Sequence, residues 1–351
     1  MNKKMICGIQ QVGIGVADVI EAWKWYHEQF GYEIKIVDAE GVAERMLPYT
    51  GGKPQPRRAI MVFNIRGGGG FEIWQPKGRE LNYLKEPLRL GDYGILVAKI
   101  KTADIQNAYK TFTEKGLDVI AEISETPMGY KHFFMKDPYG NLFEIEEDNY
   151  VFINEKKTTG GANGVTIGVG DMDRSIEFYG KLLDYDKVAY DHTGSFSDLK
   201  GVPGGQNTLR RVILERSKPI GGPLCQVMGT SHLELIQSLD QPGRKLYENR
   251  FWGDPGFIHL CFDVRNMGAV KEQTEALGHP FVCDSGDDFD MGDANGHFTY
   301  VEDPDGTLIE FVETFSIPIC KKLGLAINLK NRDDHKPLKV LRLLRFAKAK
   351  P

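Results

Sequence analysis

The chain has 351 residues, of which 41% are hydrophobic and 26% charged, and its formal net charge is -5. That length and apolar content suit two cores rather than one, and the mild acidity offers no general attraction to nucleic acid. No apolar run is long enough to cross a bilayer, MNKKMICGIQQV lacks the features of a secretory leader, and Cys7, Cys225, Cys261, Cys283 and Cys320 show no CxxC spacing, so a cytoplasmic protein without disulfides or a cysteine zinc site is expected.

At the start, Val12, Ile14 and Val16 alternate with Gln11, Gly13 and Gly15, the period of a strand with one apolar face. Asp18 then caps a helix on which Ala22, Trp23, Trp25, Tyr26 and Phe30 are helically spaced, and Gly31 supplies the exit. A strand near 32–37, a Gly/Pro-rich loop through Pro56, and strands near 59–65 and 70–75 complete one unit. A second unit keeps this order from Tyr93 to Glu147, with a helix over about Thr102–Lys115 and a tight hairpin at Asp137, Pro138, Tyr139 and Gly140. Residues 156–161 read as an exposed linker rich in lysine, threonine and glycine. The third unit starts at Gly164, places its helix over Asp171–Leu183, carries an insertion over about His192–Gly229 and ends with Ser231–Gln237. The fourth runs from Gly256 to Glu313, with a helix near Asn266–Leu277 and a hairpin at Asp303, Pro304, Asp305 and Gly306.

The second half repeats the first. VADVIEAWKWYHEQFGYE (16–33) returns as VGDMDRSIEFYGKLLDYD (169–186), and DPYGNLFEIEED (137–148) as DPDGTLIEFVET (303–314), so the spacing is that of whole domains rather than of short solenoid repeats. Duplicated domains over 1–155 and 162–316 are expected, followed by a basic tail, 317–351, containing a helix. On that tail Leu338, Leu341 and Leu344 share a helical stripe among lysines and arginines, which suits packing on the body or contact with an anionic membrane surface or nucleic acid.

This order of elements, with VGDMDRSIEFYGKLLDYD and VEDPDGTLIEFVE inside it, resembles the vicinal oxygen chelate superfamily of glyoxalases, bleomycin-resistance proteins and extradiol dioxygenases, over Gly8 to Phe315. The resemblance implies an α+β fold: four βαβββ modules in two tandem glyoxalase-like domains, their sheets curled into cups. It also implies metal ligands on the first and last strand of each unit. Those positions hold Gln11 and Glu72 in the first unit, Glu144 in the second, Glu234 in the third, and His259 and Glu310 in the fourth. Ile95, or Gly94 in a shifted register, and Gly164 occupy the remaining two and offer no ligand. If the first unit joins the fourth, as in tandem glyoxalases, Gln11, Glu72, His259 and Glu310 form one metal set, and the other cup receives Glu144 and Glu234, with His232 on the same face. If each half closes on itself, as in extradiol dioxygenases, a required histidine is missing at Gly164.

Three oxygen donors and one imidazole suit a single divalent ion: zinc, nickel, cobalt, manganese or iron. Such an ion stabilises the charge that develops when a carbon beside a carbonyl loses its proton, and Glu310 or Glu72 would be the base. The expected function is therefore a metal-dependent isomerase, epimerase or lyase acting on a small polar substrate, a 2-oxo compound or sugar-derived ketone. Gly15, Pro76 and Pro255 stand where glutathione-using relatives carry arginine, asparagine and arginine, which argues against glutathione. The alternatives are a metal-free binding protein of bleomycin-resistance type and, more weakly, an extradiol-type dioxygenase. Trp74 serves either of the first two readings, and His297 could approach the main cup from the strand beside Glu310. Taken singly, each glutamate is a solvated strand residue and His259 a hydrogen-bonded core histidine. A monomer or homodimer is expected, with a small-molecule partner, no nucleic acid and no membrane span.

Overall fold

Asp18 shows how the sequence sets a helix start: its Oδ1 accepts from the backbone N–H groups of Ile20 and Glu21 at 2.8 and 3.0 Å. The helix Val19–Phe30 that follows buries Val19, Ala22, Trp23, Tyr26 and Phe30, and Gly31 closes it at φ 69. Asp104, Asp171 and Asn266 cap Ile105–Glu114, Met172–Leu183 and Met267–Ala276 in the same way. The structure is a computed structural model describing residues 3–287, 289–290, 295–320, 325–330 and 336–351.

Each unit opens with a strand, passes through its helix, and closes with a strand that lies parallel to the first. The opening strands are Met5–Gly15, Gly94–Thr102, Ala162–Gly168 and Gly256–Arg265; the closing strands are Gly70–Pro76, Leu142–Glu147, His232–Ser238 and Leu308–Cys320. Units then pair across the halves. Met5–Gly15 lies antiparallel to Gly256–Arg265 in one sheet, and Gly94–Thr102 lies antiparallel to Ala162–Gly168 in the other. Units one and four thus share one curled sheet, and units two and three share the second.

The repeated sequence motifs hold each half together. The Tyr26 hydroxyl of the first helix donates to Asp137 Oδ2 in the hairpin of unit two at 2.6 Å, and Tyr179 makes the same bond to Asp303 at 2.7 Å. Around them a continuous apolar core joins the four unit helices to the faces of both sheets that lie opposite the cups, including Val12, Phe71, Phe143, Leu235 and Phe262. Burying a side chain of that size contributes roughly 1.5–3 kcal/mol, so each unit depends on its neighbours for a core.

Two local expectations are revised. The connection expected to be exposed is buried from Thr159 to Gly161. The chain stays within the second sheet there, since units two and three share it, but it passes against the Gly67–Gly69 loop that leads into the first sheet's strand Gly70–Pro76. Ala162 and Gly69 exchange backbone hydrogen bonds at 2.7 and 2.9 Å, and a Cβ on Gly68 would lie 2.6 Å from the Gly161 carbonyl carbon. Similarly, the stretch read as one insertion over 192–229 contains the regular strand Leu209–Glu215. Its alternation is obscured because Arg211, a charged residue, is fully buried on the cup face.

Candidate metal centre

In the first sheet the four middle strands run in the order Leu308–Cys320, Gly256–Arg265, Met5–Gly15, Gly70–Pro76, so Glu310 and Glu72 flank the central pair from opposite sides. Gly13 lies opposite both His259 and Glu72, while Cys261 lies opposite both Gln11 and Glu310. Directly opposed residues share a face, which brings Gln11, Glu72, His259 and Glu310 together on the concave side. Gly13 makes room: a Cβ there would sit 2.6 Å from His259 Nε2.

His259 Nε2 is 3.3 Å from Glu72 Oε2 and 3.2 Å from Glu310 Oε2, and donor atoms of the three residues lie within 4.8 Å of one another. Gln11 Nε2 donates to Glu310 Oε2 at 3.4 Å. Gln11 Oε1 and both His259 ring nitrogens are buried without a hydrogen-bond partner among the described residues. Burial works against a charged imidazole, yet Glu310 and Glu72 outweigh it and hold the His259 pKa above its ordinary value. Burial, together with repulsion from Glu72, raises that of Glu310 despite the attraction of His259. Two carboxylates facing each other with orphaned nitrogen and amide oxygen atoms beside them fit a divalent cation.

Aromatic rings enclose the cluster. Trp252 stacks near His259 with centroids 6.2 Å apart and meets Trp74 edge-on at 4.4 Å, and Tyr300 closes the side next to Glu310. Sequence reasoning placed Trp74 on this face but not Trp252 or Tyr300, which sit outside the repeated motifs or on a neighbouring strand. His297 does not reach the cup. Its ring nitrogens face Asp284 at 2.7 Å and Asp287 at 3.0 Å.

The second sheet repeats the layout with different chemistry. By register, Gly164 stands for Gln11, Thr166 for Gly13, Glu234 for Glu72, Glu144 for Glu310, and Val97 for His259. The position read as Ile95 is therefore Val97. An uninterrupted apolar run, GILVA, hides the register that alternation would reveal. Aligning Gly94 with Gly256 corrects it, and both glycines adopt positive φ, 133 and 134. That alignment also exposes Lys99, at the place of Cys261.

Lys99 takes the centre of the second cup. Its ammonium bonds Glu144 and Glu234, the latter at 2.7 Å, with Glu146 at 3.7 Å. Gly164, having no side chain, leaves room for the lysine stem, since a Cβ there would be 3.1 Å from Lys99 Cδ. Arg211 Nε donates to Glu234 at 2.6 Å and its guanidinium to Asp198 at 2.6 Å, while His132 Nδ1 lies 2.6 Å from Glu144. Burial alone would lower the Lys99 pKa, but Glu144 and Glu234 raise it; burial would raise that of Glu144, but Lys99 and His132 lower it. His232 turns aside to Glu146 at 3.2 Å. This cup carries its own cations on its carboxylates, where in the first the clustered carboxylates face an amide and an imidazole.

The family model of the Glyoxalase/Bleomycin resistance protein/Dioxygenase superfamily matches residues 8–145 and 161–311. The chain belongs to this superfamily. No curated protein matches. Among solved structures, glyoxalase I from Zea mays is 17% identical with TM-score 0.53, covering 89% of this chain and 92% of that one. A Bacillus subtilis protein proposed to be a dioxygenase is 11% identical with TM-score 0.57, covering 89% and 86%. At these identities the likeness shows the fold alone.

Proposed function

We propose that Gln11, Glu72, His259 and Glu310 hold one divalent metal ion and that the protein moves a proton next to a carbonyl of a small molecule, as an isomerase, epimerase or lyase. The convergence of Glu72, His259 and Glu310 donor atoms within 4.8 Å carries this reading. When bound, zinc, nickel, cobalt, manganese or iron would polarise the carbonyl and offset the negative charge that develops on its oxygen. The protein's own groups handle the proton. Glu72 and Glu310 approach from opposite sides of the central strand pair, so one can take the proton and the other return it to a different face or atom. Trp74 and Trp252 limit water at the reacting centre. Gly15, Pro76 and Pro255 leave glutathione carboxylates without the expected cationic and amide contacts.

A second reading, a metal-free sequestering protein, is favoured by the apolar walls of the adjoining chamber, which include Val227, Met228 and Leu341. The dioxygenase reading is weaker still, since Gly164 supplies no ligand and the second half does not close its own cup. Metal analysis of protein purified without chelator separates the first two. About one divalent ion per chain is expected, lost in His259→Ala, together with solvent deuterium exchange into an enolisable 2-oxo compound that falls about 100-fold or more in Glu72→Gln or Glu310→Gln. A native protein without stoichiometric metal overturns the enzyme reading.

A further inference from the structure

The chamber next to Glu72 and Glu310 has a volume of about 330 Å³, within the range of small-ligand pockets. Away from the polar cluster its wall is formed by Leu224, Val227, Met228, Ile317, Leu341 and Leu344. All six lie outside the repeated βαβββ pattern. Leu224 to Met228 form the short helix Cys225–Met228 and its N-cap in the third unit's insertion; Ile317 lies where the last closing strand overruns the repeat; Leu341 and Leu344 lie on the 3₁₀ helix Lys339–Phe346 of the tail.

The tail is fastened over this end of the sheet. Leu338 N–H donates to Pro223 O at 2.9 Å, Ala349 N–H donates to Glu33 O at 2.8 Å, and Lys348 Nζ is 3.2 Å from Glu33 Oε1. Leu341 and Leu344 are buried while Arg342 and Arg345 face solvent. The leucine stripe, read from the sequence as suited to packing on the body or to an anionic surface, is turned inward, onto Leu224, Val227 and Met228.

We infer that this wall is a specificity site: the chamber takes a molecule with an oxygen-bearing head at Gln11, Glu72, His259 and Glu310 and an apolar body, alkyl or aryl, against the tail and the short helix. The head rests on the metal reading above; the body rests on the wall alone. The small polar substrate that the sequence suggested would find partners at Gln10, Arg45 and Arg57 elsewhere on the lining, but a polar group set against these six side chains would lose water without gaining a partner from them. A methylene moved there from water gains about fourfold in affinity.

Straight-chain hydroxamic acids, whose heads chelate divalent ions, and straight-chain alcohols, which lack that head, test this by calorimetry on cobalt-loaded protein, each from two to eight carbons. The wild type is expected to bind both series about fourfold more tightly per added methylene until the chamber is full. Leu341→Ala with Leu344→Ala should weaken the eight-carbon members about tenfold or more while leaving acetohydroxamic acid and the cobalt absorption spectrum unchanged. Leu344→Phe, which fills the chamber instead of emptying it, should lower the longest chain accepted and keeps the test open if the double variant fails to fold. Glu310→Gln should weaken every hydroxamic acid evenly and leave the alcohol series untouched. A flat chain-length series in the wild type, or equal weakening of short and long members by the double alanine variant, overturns the inference. Failure to bind cobalt with the alcohol series intact overturns the metal reading and supports the wall.

Discussion

Lys99→Met removes the cation at the centre of the second cup while keeping an unbranched stem of similar length. The lost ammonium bonds Glu144 and lies 2.7 Å from Glu234 and 3.7 Å from Glu146. Truncating one partner of a buried ion pair costs about 3–5 kcal/mol. Because His132 stays on Glu144 and Arg211 on Glu234, the lower end, about 3 kcal/mol, is expected. With a urea slope of roughly 3 kcal/mol/M the unfolding midpoint should fall by about 1 M, read by tryptophan fluorescence. Adding Glu144→Gln removes one of the stranded charges and should recover about half of the loss, a strong non-additivity. The first cup should behave oppositely. In chelator-stripped protein Glu310→Gln relieves repulsion from Glu72 and leaves stability unchanged or higher, whereas in zinc the same change forfeits the stabilisation that bound metal provides. A Lys99→Met midpoint within about 0.2 M of wild type, or a further loss on adding Glu144→Gln, would refute the view that this lysine stands in for an ion.

Gly13→Ala puts a methyl group 2.6 Å from His259 Nε2, so the imidazole must leave its place; divalent-metal affinity should fall about 10–100-fold in chelator competition, and an unchanged affinity would contradict the assigned geometry. Lys101 is buried with no hydrogen-bond partner among the described residues beyond its cation–π contact with Tyr150 at 4.5 Å, and burial lowers its pKa to about 8. A lowered lysine pKa means the unfolded chain binds more protons between about 8 and 10.5, so the wild type should gain stability as pH rises through that window. Lys101→Met should therefore be about 2 kcal/mol more stable at pH 7, an advantage that shrinks by pH 10 in urea titrations; a constant difference across pH would show that the charge is not the cause.

Much of the fold was legible because its signals are local. The caps at Asp18, Asp171 and Asn266, the exit at Gly31, and the paired hairpins at Asp137 and Asp303 depend on neighbours within a few residues. Alternation put Gln11 and His259 on the face opposite Val12 and Leu260, and the duplication indicated which strand positions to compare. Lys99 and Val97 escaped because their strand is buried on both faces and loses the period of two that fixes register. Trp252 and Tyr300 escaped because each joins the site through space rather than through a repeated position.

The sequence by itself determined four repeated units, the apolar faces of their strands and the residues proposed as one metal set. Only the tertiary structure decided that Lys99 neutralises the second cup, that the connection at Thr159–Gly161 is buried, and that Leu341 and Leu344 roof the chamber of the first. Local periodicity says which side of a strand or helix is apolar. It does not say which distant surface that side will meet, because such contacts join residues far apart in the chain and are selected by how well whole faces pack and how buried charges are compensated.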